Sequence, residues 1–241
     1  MCGIRKYGAK SLAWWLVFSL TSVLLLCQYD EHAVLYATKF GLGWFTNERL
    51  KLAARVIHSY GDIEIFVVAL GLILYAIGKI RSNAYFTRTA SSLFLAGAMA
   101  GIGVQVIKFS VGRPRPPLVQ QGKAHAWSFA GPTLSAKYRS YPSGHSTSVA
   151  TAATVIALAF PRMIPLAIAT AFLVGASRVI HNYHYPTDVL SGLAFGMAVG
   201  GICARHLARL RERLHRRAQW LASSGRQKTS STQELSAADQ P

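Results

Sequence analysis

The sequence predicts an all-α, polytopic membrane protein of about six transmembrane helices. Three observations predict that class. Of its 241 residues, 51% are hydrophobic and the mean hydropathy is positive. The apolar residues gather in six blocks, at 11–27, 63–78, 89–107, 147–160, 164–177 and 189–204, each near the roughly 20 residues that cross a bilayer. The basic residues are distributed unevenly about those blocks. The shorter blocks would also fit core helices of a soluble protein, but six of them with few internal charges favour the membrane.

Block 11–27 follows Arg5, Lys6 and Lys10, as the apolar region of a signal peptide would. No small-residue cleavage site follows it, and Leu26 before Cys27 does not suit a lipoprotein signal. It is read as a retained first span. Segment 28–62 mixes aromatics with Lys and Arg at helical spacing. That pattern predicts one or two helices lying in the interface, serving either as a packing lid or as a grip on substrate. Residues 108–146 form the longest loop and 178–188 a short one, both on the same side as 28–62.

Six spans put both termini on one side, and that side collects fifteen of the 26 Lys and Arg residues. The excess predicts cytoplasmic termini, with the long loops facing the periplasm or exterior of a plasma (inner) membrane. Lys108, Arg113, Arg115 and Arg178 run against this rule at span ends on the outer side, so they need another reason to be there. The tail 205–220 is rich in arginine, but next to a membrane span it reads as a helix touching anionic lipid rather than as a nucleic-acid binder. Beyond Leu221 the chain is polar and expected to be disordered. The expected organisation is therefore one membrane domain over 1–221, with a motif core at about 90–205, and a polar cytoplasmic tail over 222–241. Cys2, Cys27 and Cys203 show neither metal spacing nor a disulfide framework. Nothing in the sequence specifies an oligomeric state.

Topology brings three stretches to one membrane face: "KFSVGRPRP" from Lys108, "YPSGHS" from Tyr141, and "SRVIHNYHYPTD" from Ser177. Lys108, Arg115 and Arg178 supply three cations, the arginines with planar forks that match phosphate oxygens. Ser143 and Gly144 open a helix, where backbone N–H groups favour an anion. Together these residues make a cradle for a tetrahedral oxyanion. His184 lies four residues before Asp188, close enough for a carboxylate to fix its tautomer and leave its other nitrogen free to attack. His145 is placed to protonate a leaving oxygen.

Alone, each piece has a plainer reading: Lys108 could snorkel, Ser143 could simply cap a helix, and Asp188 could cap the last span. Their coincidence on one face outweighs those readings. A metal site is disfavoured, although His181 and His184 are three residues apart, because three cations would repel a divalent ion. His181 reads as structural, and His32, His58 and His125 as surface or interface histidines. Arg113 reads as a supporting contact or a headgroup ligand. Lys123, Lys137 and Arg139 in loop 118–140 are candidates to bind a second phosphate or an anionic headgroup.

These three stretches resemble the signature of the type 2 phosphatidic acid phosphatase superfamily, which also includes vanadium haloperoxidases. That signature is Lys-x6-Arg-Pro, then Pro-Ser-Gly-His, then Ser-Arg-x5-His-x3-Asp. Here it reads Lys108 to Arg115-Pro116, Pro142-Ser143-Gly144-His145, and Ser177-Arg178 to His184 to Asp188, without departure. The resemblance implies a phosphohistidine on His184 that water hydrolyses. It implies phosphate contacts from Lys108, Arg115, Ser143, Gly144 and Arg178, and no metal or other cofactor. The implied substrate is a phosphorylated membrane lipid: undecaprenyl diphosphate, a lipid A phosphate, phosphatidylglycerophosphate or phosphatidic acid. The basic loop favours a diphosphate or lipid A. The rival readings are a phosphotransferase using the same intermediate and a non-catalytic transporter or scaffold.

Overall fold

The structure is a computed structural model and describes residues 27–44 and 63–206, with Arg209 and Arg216. The first apolar block up to residue 26, His58, and the tail beyond 216 lie outside the described residues. Among the described residues every regular element is helical. In order they are α1 (Asp30–Trp44), α2 (Ile63–Ile80), α3 (Ala84–Val111), the short α4 (Pro116–Gln120), α5 (Gly144–Ala159), α6 (Ile164–Ile180) and α7 (Pro186–His206). Packing divides the chain into Met1–Ala204 and Arg205–Pro241, and the account of the core and site concerns the first unit.

Five apolar blocks of the sequence become α2, α3, α5, α6 and α7. Three stretches among the described residues are long and apolar enough to cross a membrane: Ala84–Gln120, Pro161–Ile180 and Pro186–His206. The apolar stretch of α2, Ile65–Ile80, is shorter. α6 exposes Leu166, Ile168, Phe172 and Leu173, a continuous apolar surface suited to lipid. Segment 28–62 yields one described helix, α1, which buries Asp30 and Val34 and exposes Leu35 and Tyr36.

The helix ends follow local chemistry. The Asn83 side chain accepts the Tyr85 N–H at 2.9 Å, a cap that starts α3 five residues before the apolar block does. α3 ends at Gly112, whose φ of +62° is left-handed, the usual conformation just past a helix end. A β-carbon there would lie 2.2 Å from the Gly131 carbonyl oxygen, so the chain can close over this point only at glycine. The closure folds loop 112–140 back across the end of α3.

α5 is central and packs against α2, α3 and α6. A core of Leu93, Ala96 and Ala100 from α3, Ala152 and Val155 from α5, and Val199 and Cys203 from α7 is almost wholly buried. Small residues let the helices approach closely, as membrane helix pairs do. α5 and α7 approach closely at a row of glycines. β-carbons on Gly192, Gly196 and Gly200 would lie 2.5, 2.3 and 2.7 Å from the carbonyl oxygens of Ser143, Thr147 and Thr151. Thr147 and Thr151 donate their hydroxyls to the carbonyls of Ser143 and Thr147, at 2.9 and 2.8 Å. Two rows of matched four-residue spacing thus lock the start of α5 to the start of α7.

Candidate active site

The locked helix starts carry the candidate residues. Ser143 is fully buried and caps α5, accepting the Ser146 N–H at 3.4 Å and the Ser146 hydroxyl at 2.9 Å. Its own N–H donates to the Asp188 carbonyl at 2.9 Å. The backbone amide of Ser143 is therefore committed to joining α5 to α7. A β-carbon on Gly144 would sit 3.8 Å from Lys108 Cε, which places the lysine beside the helix start. His145 follows on the same turn, half-buried.

Lys108, near the end of α3, is 7% exposed and donates to the Arg139 carbonyl at 2.9 Å. Arg115 leads into α4, with its backbone N–H on the Lys137 carbonyl at 2.8 Å. The side-chain Nε atoms of Arg115 and Arg139 are buried and have no partner within the chain. Buried donors are nearly always paired, so these two Nε atoms stand out as able to take an external acceptor. Arg139 also donates to Gln105 Oε1. Lys123 and Lys137 are exposed.

In the third stretch, the N–H groups of Tyr183 and His184 both donate to the Arg178 carbonyl, at 3.0 and 3.3 Å. This turn carries the chain from α6 to His184 and leaves Arg178 half-buried over the Tyr183 ring. His181 ends α6, its Nδ1 2.7 Å from the Ser177 carbonyl, which is a structural placement. His32 and His125 are exposed.

His184 is 4% exposed. Its Nδ1 lies 3.6 Å from Asp188 Oδ2, too long for a hydrogen bond. Burial pushes the imidazole down to about 4, with the Asp188 carboxylate pulling the other way and the charges of Lys108 and Arg115 adding to the depression. The ring is therefore neutral at physiological pH, as a nucleophile must be. Asp188 is fully buried and accepts three hydrogen bonds: Oδ1 accepts from Arg113 Nη1, and Oδ2 accepts the Ser140 hydroxyl at 2.6 Å and the Tyr185 N–H at 3.0 Å.

Of the two readings of Arg113, its burial and bonds fit the supporting contact and not the headgroup ligand. It is 0% exposed. Its Nε donates to the Ala126 carbonyl, Nη1 to Thr187 and Asp188, and Nη2 to Asp30. The guanidinium lies between the rings of Trp127 and Tyr185, at 4.0 and 4.1 Å from their centroids. Four of its five N–H donors are thus bonded within the chain, and the side chain is closed off from solvent.

The structure thus brings Lys108, Arg115, Gly144, His184 and Asp188 together, with Arg139 added to them. It leaves Lys123 and Lys137 on the surface. The sequence reading missed Asp30, Ser140 and Thr187. One signal was available: the chain has nine acidic residues against 26 Lys and Arg, so each acid near the membrane has cations to answer. Among the described residues no group of three or more His, Cys, Asp or Glu could hold a metal ion.

Comparison with known proteins identifies the family. The family model of the PAP2 superfamily matches residues 89–212. The chain is 32% identical over 159 residues to a lipid A 1-phosphatase of Rhizobium etli, covering 61% of this chain and 67% of that protein. It is 37% identical over 112 residues to a lipid A 1-phosphatase of Rhizobium johnstonii, covering 46% of this chain and 45% of that protein. Its fold is similar to the crystal structure of a transmembrane PAP2-type phosphatidylglycerolphosphate phosphatase from Bacillus subtilis. That match has a TM-score of 0.55 and 20% identity, covering 84% of this chain and 96% of the other. The matched residues span all three motif stretches, and the chain belongs to the PAP2 superfamily.

Proposed function

We propose that this chain is an integral-membrane phosphatase that removes phosphate from a membrane lipid through a phosphohistidine on His184. The carrying observation is a neutral, buried His184 backed by Asp188, close to the charges of Lys108 and Arg115, with the buried Arg115 Nε lacking a hydrogen-bond partner in the chain. Nε2 attacks phosphorus while Nδ1–H turns to Asp188 Oδ2. The bond from phosphorus to the lipid oxygen breaks, and His145 gives that oxygen a proton. Water then attacks the phosphohistidine, His145 takes its proton, and inorganic phosphate leaves. Lys108, Arg115, Arg139, Arg178 and the Gly144 N–H hold the phosphoryl oxygens, whose charge the transition state spreads. Ser143 acts chiefly by fixing Gly144. The reaction needs no metal.

The substrate proposed first is a phosphate of lipid A. This rests on similarity to the two lipid A 1-phosphatases, and undecaprenyl diphosphate, phosphatidylglycerophosphate and phosphatidic acid follow. The proposed setting is the bacterial inner membrane, with six spans in the domain 1–221, cytoplasmic termini, a polar cytoplasmic tail over 222–241, and the site facing the periplasm. The excess of Lys and Arg on the terminal side supports this orientation. The test is phosphate release by purified protein in detergent with EDTA present, from each lipid in turn. Release from lipid A that is unchanged by EDTA and lost in His184→Ala is expected. Loss of release in EDTA would overturn the metal-free mechanism, and preference for another of the lipids would overturn the substrate.

A further inference from the structure

Asp30 lies far from the motif stretches in sequence but against them in space. It is 0% exposed. Its Oδ2 accepts from Arg113 Nη2 at 2.8 Å and from the Thr187 hydroxyl, and its Oδ1 accepts the Thr187 N–H at 3.2 Å. Thr187 Oγ1 in turn accepts from Arg113 Nη1 at 2.9 Å. Arg113 reaches Asp188 through that same Nη1. Two buried carboxylates are thus joined through one guanidinium, and the second of them faces His184.

We infer that Asp30 is a positioning residue of the reaction, balancing Arg113 so that the Asp30–Arg113–Asp188 chain keeps one net negative charge behind His184. The inference rests on the phosphohistidine chemistry proposed above. Attack through Nε2 makes the ring cationic, and Lys108 and Arg115 already act against a positive charge there. A lone Arg113 would cancel Asp188 and leave nothing to favour the cation. With Asp30 present, the chain of two acids and one base remains negative, and charges act strongly where water is excluded. Asp30 also holds the far end of the guanidinium. That fixes the plane in which Nη1 takes Asp188 Oδ1 and turns Oδ2 toward His184 Nδ1. Segment 28–62 thereby gains a role through the first residue of α1.

The test separates charge from shape. Asp30→Asn keeps the shape and an acceptor for Arg113 but removes the charge. Asp30→Glu keeps the charge and changes the shape. Lipid phosphate release by full-length protein in detergent is measured for both, beside wild type and His184→Ala, with thermal unfolding of each. Asp30→Asn is expected to lower kcat about tenfold with KM within about twofold of wild type, and Asp30→Glu to retain more of kcat than Asn does. Wild-type kcat in Asp30→Asn, or more kcat in Asn than in Glu, would overturn the inference. So would unfolding of both variants, which would assign Asp30 to stability alone. If His184→Ala is as active as wild type, the underlying reading fails instead.

Discussion

His184 is useful because its surroundings oppose its protonation. Its pKa, pushed down to about 4 by burial, keeps the imidazole neutral through the physiological range, as the proposed attack requires. Protonation of His184 should therefore cost no kcat/KM until the pH approaches 4, which a pH profile of lipid phosphate release would check. The sign for stability follows: the unfolded histidine, near 6.5, takes up a proton first, so this group's contribution to stability falls as pH falls from about 6.5 to about 4. Asp188→Asn should lower kcat about a hundredfold or more by removing the charge that supports the ring, and should lower the melting temperature as well, because its amide NH2 must face either Arg113 or the Tyr185 N–H in place of a carboxylate oxygen. Arg115→Ala should lower kcat/KM by about a hundredfold, read in the same assay. The motif residues were legible in the sequence because their chemistry is local: a histidine four residues before an aspartate, a glycine at a helix start, an arginine before a proline. Asp30, Ser140 and Thr187 were not, because their meaning lies in contacts made 157 and 48 residues away along the chain.

The elements deliver those side chains through the α5–α7 contact. The sequence marks the helices as apolar blocks but places their ends less well. α3 and α5 begin five and three residues before their blocks, since Asn83 and Ser143 cap polar first turns that hydropathy does not register. The row Gly192, Gly196 and Gly200 is visible as a spacing, but its partner is visible only in three dimensions. Gly196→Ala tests that contact. Its β-carbon would meet the Thr147 carbonyl at 2.3 Å, forcing the helices apart at a cost of about 1–3 kcal/mol. The expected result is a lower melting temperature together with reduced kcat, as Ser143 and Asp188 lose their shared hydrogen bond. An unchanged melting temperature would mean that the two helices are not held at this distance.

At the scale of the first unit, the helices packed on α5 carry the polar, cationic residues at one end of α5, and α6 presents apolar surface. That arrangement suits a substrate whose phosphate sits at the membrane surface and whose tails remain in lipid. Orientation is tested at Leu134, which is 78% exposed in the loop beside the site. Leu134→Cys in a chain whose other cysteines are replaced should react with a membrane-impermeant maleimide in intact spheroplasts; reaction only after lysis would reverse the topology. The measurement that tests the central claim most directly is trapping of the intermediate. Purified protein is mixed with lipid substrate labelled in its phosphate, quenched within milliseconds, and digested. Acid-labile, base-stable label on the peptide carrying His184, absent from His184→Ala, is the predicted result. Turnover without label on that peptide, or equal label in His184→Ala, would contradict it.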